Sequence, residues 1–242
     1  MSLNSNSLER LVPDHLSPGD VTGRETLELH LERYRFAARH ARAGRLLDIA
    51  CGVGYGTRLL GDETEKVSFA LGVDLCEESI AYAREHYGRD GVEFRAGDAM
   101  RFEDPEGFDT IVSLETVEHL RCPAGLIDNL VPLLRPNGIL VASVPTTPSV
   151  DVNPHHLHDF TERSFRRLFA QQPLEERACL RQVQPFGIAS TLRRGEVRLA
   201  ELRPKLPRYY ATHPGVALRR LASTVRFGFV NCYITIVWQR CT

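Results

Sequence analysis

An α/β fold wound around a mostly parallel sheet follows from three observations. Apolar runs that read as strands recur through the first part of the chain, helix-length segments lie between several of them, and a glycine-rich turn joins the first strand to the next helix. Strands that are apolar on both faces need cover on both, and helices above and below a parallel sheet supply it. The 242 residues, 43% hydrophobic and 25% charged, suit a globular chain and exclude disordered and fibrous classes. No apolar run reaches the length of a membrane-spanning helix, and the first 25 residues lack a signal-peptide core, so a cytoplasmic location is expected. Six cysteines with no C-x-x-C pair fit neither a disulfide framework nor a zinc site, and Cys51 reads as small filler in a turn.

The first element is a helix opening near Thr22, with Glu25 as capping-box partner and Leu27, Leu31, Tyr34 and Ala38 at helical spacing. Strands are expected at 45–50, 67–75, 92–96, 109–114 and 138–144, with helices at 55–61, 77–88 and 121–134. Asn137-Gly138 is the expected stop of the last helix. After Val144 the alternation ends. A proline- and histidine-rich loop leads to a helix from about Thr161, with Phe165, Leu168 and Phe169 on one face, and then to a short strand near 180–185. Residues 190–226 are arginine-rich, carry Pro204, Pro207 and Pro214, and receive no assignment; the alternating run 227–238 reads as a closing strand.

The strongest chemical signal is LLDIACGVGYGTRLL (46–60), a strand, a glycine turn and a helix. Gly52, Gly54 and Gly56 let backbone approach a ligand and aim helix N-terminal N–H groups at it. The spacing is not that of a dinucleotide fingerprint, which would want glycine at Thr57. Asp48, at the strand end, would repel a pyrophosphate but suits an ammonium or sulfonium. Asp74 ends the second strand, where a carboxylate can accept both ribose hydroxyls, and Asp98 follows the third, within reach of an adenine amino group.

D-x-x-C-G-x-G-x-G, then GVDL, AGDA and FDTIVSLETVEHL, resembles the class I S-adenosylmethionine-dependent methyltransferases, and within them the ubiquinone-type and the glycan or natural-product O-methyltransferases. The ordered motifs cover roughly 44–145. The resemblance implies a Rossmann-like fold with a seven-stranded, mostly parallel sheet and helices on both faces. It implies that Asp48 and the backbone at Ala50, Gly52 and Gly54 hold the methionine moiety, that Asp74 binds the ribose with Leu75 on the adenine, and that Asp98 and Ala99 meet the adenine edge. The expected organisation is one domain over 1–242: a helical lid at 1–43 from which Tyr34 closes over the cofactor, a cofactor-binding core at 44–145, and a substrate-facing part at 146–242.

Glu115, Glu118 and His119 follow the fourth strand and would share one face if a helix began there. His119 can take a proton from a hydroxyl while a carboxylate holds the ring. The segment also resembles the metal-binding E-x-x-E-H of small-RNA 2′-O-methyltransferases, which implies Mg or Mn on Glu115, Glu118, His119 and His156; similar segments occur in small-molecule members without metal. NPHHLHDFT (153–161) resembles a glycan-associated motif whose second histidine matches His156, with His155 the weaker candidate. His119, His156 and Glu115 are therefore the catalytic candidates, and His30 a further contributor.

Charge is unevenly spread: residues 1–160 balance at −11, and residues 161–242, with 15 basic side chains against five acidic, at +10. The arginines, among them Arg193, Arg194 and Arg198, either face an anionic acceptor or neutralise the acidic front within the monomer or across a homodimer. The reading is O-methylation of a small-molecule, sugar or glycan acceptor. RNA ribose methylation is the alternative within enzymes, although no aromatic-and-basic RNA-binding module is appended. A non-catalytic nucleotide-binding regulatory domain is the alternative outside them.

Overall fold

The computed structural model describes residues 10–17, 19–63, 66–185 and 202–241. Helix α1 (Val21–His40) precedes strand β1 (Gly44–Ile49), α2 (Tyr55–Glu63), β2 (Val67–Asp74), α3 (Glu77–Tyr87), β3 (Val92–Ala96), β4 (Phe108–Leu114), α4 (Pro123–Leu133) and β5 (Leu134–Pro145). Then come α5 (Glu162–Phe169), β6 (Leu174–Pro185), α6 (Leu206–Thr212), α7 (Pro214–Phe227) and β7 (Val230–Arg240). The seven strands form one sheet in the order β3-β2-β1-β4-β5-β7-β6, in which only the pairings of β7, to β5 and β6, are antiparallel.

Period-two alternation divides the core between the two sheet faces. Leu47, Ile49, Leu71, Val73, Ile111 and Leu140 pack toward α4 and α5, where Phe165 and Phe169 meet Trp238. Their neighbours Leu46, Ala70, Val112, Ile139 and Val141 pack toward α1, α2 and α3 through Ala37, Leu60, Ile80 and Ala83. Both sets are essentially dry, as fully apolar parallel strands require.

The structure corrects several local expectations. α1 opens at Val21 with Asp20 as N-cap, and the Asp20 carboxylate accepts the Ser17 N–H, so the capping box at Thr22 does not form the helix start. A capping box stands instead at α5, where Thr161 and Ser164 exchange side-chain and backbone hydrogen bonds. α4 ends at Leu133, and Asn137-Gly138, with Asn137 at φ +62°, lies inside β5, where the pairing with β4 shifts register, rather than stopping the helix. The expected short strand near 180–185 is the end of a much longer β6. The unassigned stretch contains α6 and all but the last residue of α7, which takes Phe227 from the expected closing strand, so that β7 begins at Val230. Arg193, Arg194 and Arg198 lie outside the described residues.

The sheet order reverses between β1 and β4, the position at which an open α/β sheet leaves a crevice at its strand ends. The residues after these two strands, Ala50 at φ +61° and Glu115 at φ +50°, both hold left-handed backbone, which non-glycine residues adopt at a cost.

Candidate functional site

A cleft of about 700 Å³ opens at this edge. One wall comes from the β1 turn and the end of β2, and the other from the residues after β4 and β5, with α1 and β7 closing the side.

The three glycines of the turn do three different jobs. Gly52, at φ +58°, has nothing within 4 Å of where a Cβ would stand, so its backbone is bare toward the cleft. Gly54, at φ +90°, would drive a Cβ into Phe94 and Ala83, so it permits close packing of the turn on α3 and β3. A Cβ on Gly56 would fall inside the Tyr34 ring, so this glycine makes room for α1. Tyr34 is buried, stands edge-on to Tyr55 and lines the cleft.

Asp74 meets the main chain through both carboxylate oxygens, accepting the Gly52 N–H at 2.8 Å and the Cys76 N–H at 2.9 Å, and it borders the cleft. Leu75, beside it, is 73% exposed, an unusual state for leucine and a ready platform for a flat apolar ring. Gly97 donates its N–H to the Asp74 carbonyl, which brings Asp98 and Ala99 to the neighbouring strand end. Asp98 is exposed and accepts the Met100 N–H, and the Ala99 carbonyl accepts from Asn129. Asp48 is not among the residues that line the cleft. It is 1% exposed, accepts the Thr57 hydroxyl at 2.6 Å and faces the Tyr34 phenol, and burial pushes its carboxyl up to about 7. It thus ties β1, α1 and α2 together behind the turn. Burial raises the Cys51 thiol too, in keeping with a filler role.

Across the cleft, Val117–His119 form one 3-10 turn rather than the start of a helix. Glu115 and Glu118 therefore part. Glu115 accepts the Ser143 hydroxyl at 2.7 Å and lies 3.5 Å from the Arg33 guanidinium. Glu118 is fully buried, with a carboxylate oxygen 4.0 Å from His119 Nε2. The Glu118 carbonyl accepts the N–H groups of Leu157 and His158, and His158 Nε2 donates to the Leu120 carbonyl. These bonds fold the histidine loop back, so His156 meets His119 edge to face with ring centres 4.7 Å apart. His156 Nδ1 is 2.6 Å from the Ser149 hydroxyl, and burial, followed by the neighbouring His119 and His155, lowers its pKa to about 3. His155 is exposed at the rim. His30 lines the cleft with Nδ1 2.8 Å from the Tyr55 hydroxyl.

Glu118, His119 and His156 offer ligand atoms within 4.8 Å of one another. Glu115 is committed to Ser143 and Arg33, so the four-ligand E-x-x-E-H set is not assembled.

Arg33 and Tyr233 are among the cleft residues that the sequence did not single out. Arg33, 1% exposed, donates to Gln182 at 2.7 Å and stacks over the Tyr233 ring at 4.4 Å. Tyr233 donates to Gln184, and burial lifts its phenol to about 12. Their one signal was polarity: an arginine beside Tyr34 in a helix packed on the sheet, and a tyrosine on the polar-bearing side of the last strand.

Comparison with known proteins bears on this geometry. A sequence family described as a methyltransferase domain matches residues 47–142, the stretch from β1 through β5 that builds the crevice. A probable S-adenosylmethionine-dependent methyltransferase of Mycolicibacterium smegmatis is 29% identical over 196 residues, covering 73% of this chain and 74% of the relative. A ubiquinone biosynthesis O-methyltransferase of Leptothrix cholodnii is 32% identical over 99 residues, covering 39% of this chain and 41% of the relative, so that match spans less than half of either protein. Among solved structures, the YcgJ protein of Bacillus subtilis aligns with a TM-score of 0.65 at 17% identity, over 88% of this chain and all of that one. The N-methyltransferase NodS of Bradyrhizobium japonicum, in complex with S-adenosyl-L-homocysteine, aligns with a TM-score of 0.60 at 18% identity over 96% of both chains. At these identities the structures establish the fold. The sequence relatives, matched over this fold, support an S-adenosylmethionine-dependent methyltransferase of class I. Among the described residues, no helix is long and apolar enough to cross a membrane.

Proposed function

We propose that the chain methylates an oxygen of a small-molecule, sugar or glycan acceptor, with 44–145 as the cofactor-binding core, 1–43 as a lid and 146–242 facing the acceptor, within a single domain in the cytoplasm. S-adenosylmethionine, when bound, supplies an electrophilic methyl group on a sulfonium sulfur. The residues present fit it. Gly52 presents open backbone, Asp74 is a braced carboxylate at the correct strand end, and Leu75 waits exposed beside it. Ala50, Gly52 and Gly54 would shape the methionine side, with Asp48 acting behind the turn, while Asp98 and Ala99 continue the adenine side.

The observation that carries the acceptor reading is the placement of His119 against buried Glu118, across the cleft from that cradle. A hydroxyl acceptor must shed a proton. The Glu118 carboxylate attracts the positive charge that His119 acquires on taking it. His156 is held neutral by burial, so it orients the acceptor or His119 rather than taking the proton. Glu115 acts at one remove, fixing Arg33 and Ser143 at the cleft floor.

The test is a labelled-methyl transfer screen over hydroxylated and carboxylated small molecules and sugars, with His119→Ala as control. Label on an acceptor oxygen, lost in the variant, is the expected result; transfer only to nitrogen overturns it. The three-residue Glu118, His119, His156 cluster favours one second reading, metal-assisted ribose methylation of RNA. Loss of activity with EDTA, restoration by Mg²⁺ or Mn²⁺, and transfer to an RNA 3′ end would move the assignment there.

A further inference from the structure

We propose that helices α6 and α7 form a docking surface for an anionic lipid bilayer. α7 is packed with its apolar side outward. At about 100° per residue, Leu218, Leu221 and Val225 fall within an arc of about 60°, and Arg220 lies roughly opposite. Exposure follows that geometry: Leu218 is 66% exposed, Leu221 60% and Val225 80%, whereas Val216, Ala217, Arg220, Ser223 and Thr224 are partly covered. An ordinary surface helix turns such a stripe inward, and outward aliphatic patches mark contact surfaces. Phe229, 66% exposed, extends the patch past the helix end.

Charge selects the occupant. From Leu202 to Phe229 the chain has six basic residues and no acidic one. Arg203 and Arg220 face inward, leaving Arg219 and Arg226 exposed on α7 with the aliphatic stripe, and Lys205 and Arg208 exposed at the start of α6. A second copy docking the same face would oppose arginine to arginine across the two-fold axis. A nucleic-acid surface would centre stacking aromatics where α7 presents leucine and valine. An apolar stripe flanked by arginine is the composition that sinks into a headgroup layer of negative lipids.

The platform is fixed to the site. Fully buried Asp151 accepts from Arg220 Nε at 2.8 Å and from the Tyr210 hydroxyl at 2.6 Å, and the Arg203 N–H donates to the Val152 carbonyl. Ser149 and Val152, on the same loop, line the cleft. A bilayer on α7 would therefore lie beside the cleft mouth and favour an amphiphilic acceptor; this last step rests on the acceptor reading above, whereas the docking surface does not.

Co-sedimentation of the full chain with vesicles of phosphatidylcholine and phosphatidylglycerol, against phosphatidylcholine alone, tests it. Binding is expected only with the anionic lipid. Leu218→Ser with Val225→Ser should abolish it, and Arg219→Gln and Arg226→Gln should each weaken it about fivefold, with salt acting in the same direction. Calorimetry with S-adenosylmethionine, unchanged in these variants, shows that they are folded and keeps failure here separate from failure of the methyltransferase assignment. Absence of binding to anionic vesicles overturns the proposal. So does binding that survives the serine pair, tighter retention on single-stranded RNA, or a dimer in solution that the serine pair splits.

Discussion

The two walls of the cleft are built by different means. On the β1–β2 side, main chain and a few carboxylates do the work: bare backbone at Gly52, Asp74 braced by two N–H groups, Asp48 sealed behind the turn. Every part is contributed within a few residues of a strand end. On the β4–β5 side the candidate groups are side chains from distant segments, His119 after β4 and His156 in a loop folded back on the Glu118 carbonyl. Parallel strands and their turns fix the first wall through backbone geometry, which tolerates few alternatives. The second wall depends on which loops happen to meet, and this is where a shared fold can change its acceptor.

Mutations should separate the walls cleanly. Asp74→Ala is expected to have the largest effect, removing a charge-assisted contact at about 1.5–3 kcal/mol per hydrogen bond to the ribose, together with the brace on Gly52. Titration calorimetry with S-adenosylmethionine measures it; wild-type affinity in the variant would remove Asp74 from the cofactor wall. His119→Ala should do the converse, lowering turnover about 100-fold or more with cofactor affinity nearly intact. Equal losses in affinity and turnover would mean that the two walls are not independent.

Gly56→Ala probes the packing of α1 on the first wall. Its Cβ would lie 1.9 Å from the Tyr34 ring, so α1 must shift, at a cost of about 1–3 kcal/mol for overpacking that thermal melting would register. An unchanged Tm would show that α1 yields freely.

The finest distinction is in pH. Asp48, raised from 3.8 to about 7, keeps its proton in the folded state after the unfolded chain has lost it, so its contribution to stability falls as pH rises through that window. His156, lowered from 6.5 to about 3, stays neutral when the unfolded chain is protonated, so its contribution falls as pH drops below 6.5. The two slopes oppose each other where the windows overlap. Asp48→Asn should leave a stability that rises with pH there, and His156→Gln one that falls, each by at most about 1.4 kcal/mol per pH unit per proton. Urea denaturation across that range reads the sign directly, and slopes of the same sign in both variants would refute the pairing.

The sequence by itself determined the α/β alternation, the seven strands, the glycine turn and the acids at the ends of β1, β2 and β3. Each rests on local rules: apolar periodicity, glycine at positive φ, and the position of a residue relative to its own strand. Capping at α1 and the role of Asn137-Gly138 were misread because a local motif fits more than one setting, and tertiary contacts choose among them. The glycines and Asp48 were legible as residues but not in their separate roles, since Phe94, Tyr34 and Thr57, which define those roles, come from other elements. The parting of Glu115 from Glu118 was hidden for a similar reason. A helix would have kept them on one face, but the φ of +50° at Glu115 and the pull of Ser143 and Arg33 turn the chain instead. Arg33, Tyr233 and the outward stripe of α7 were decided only by the fold, because which face of a helix or strand meets the body depends on what is packed against it.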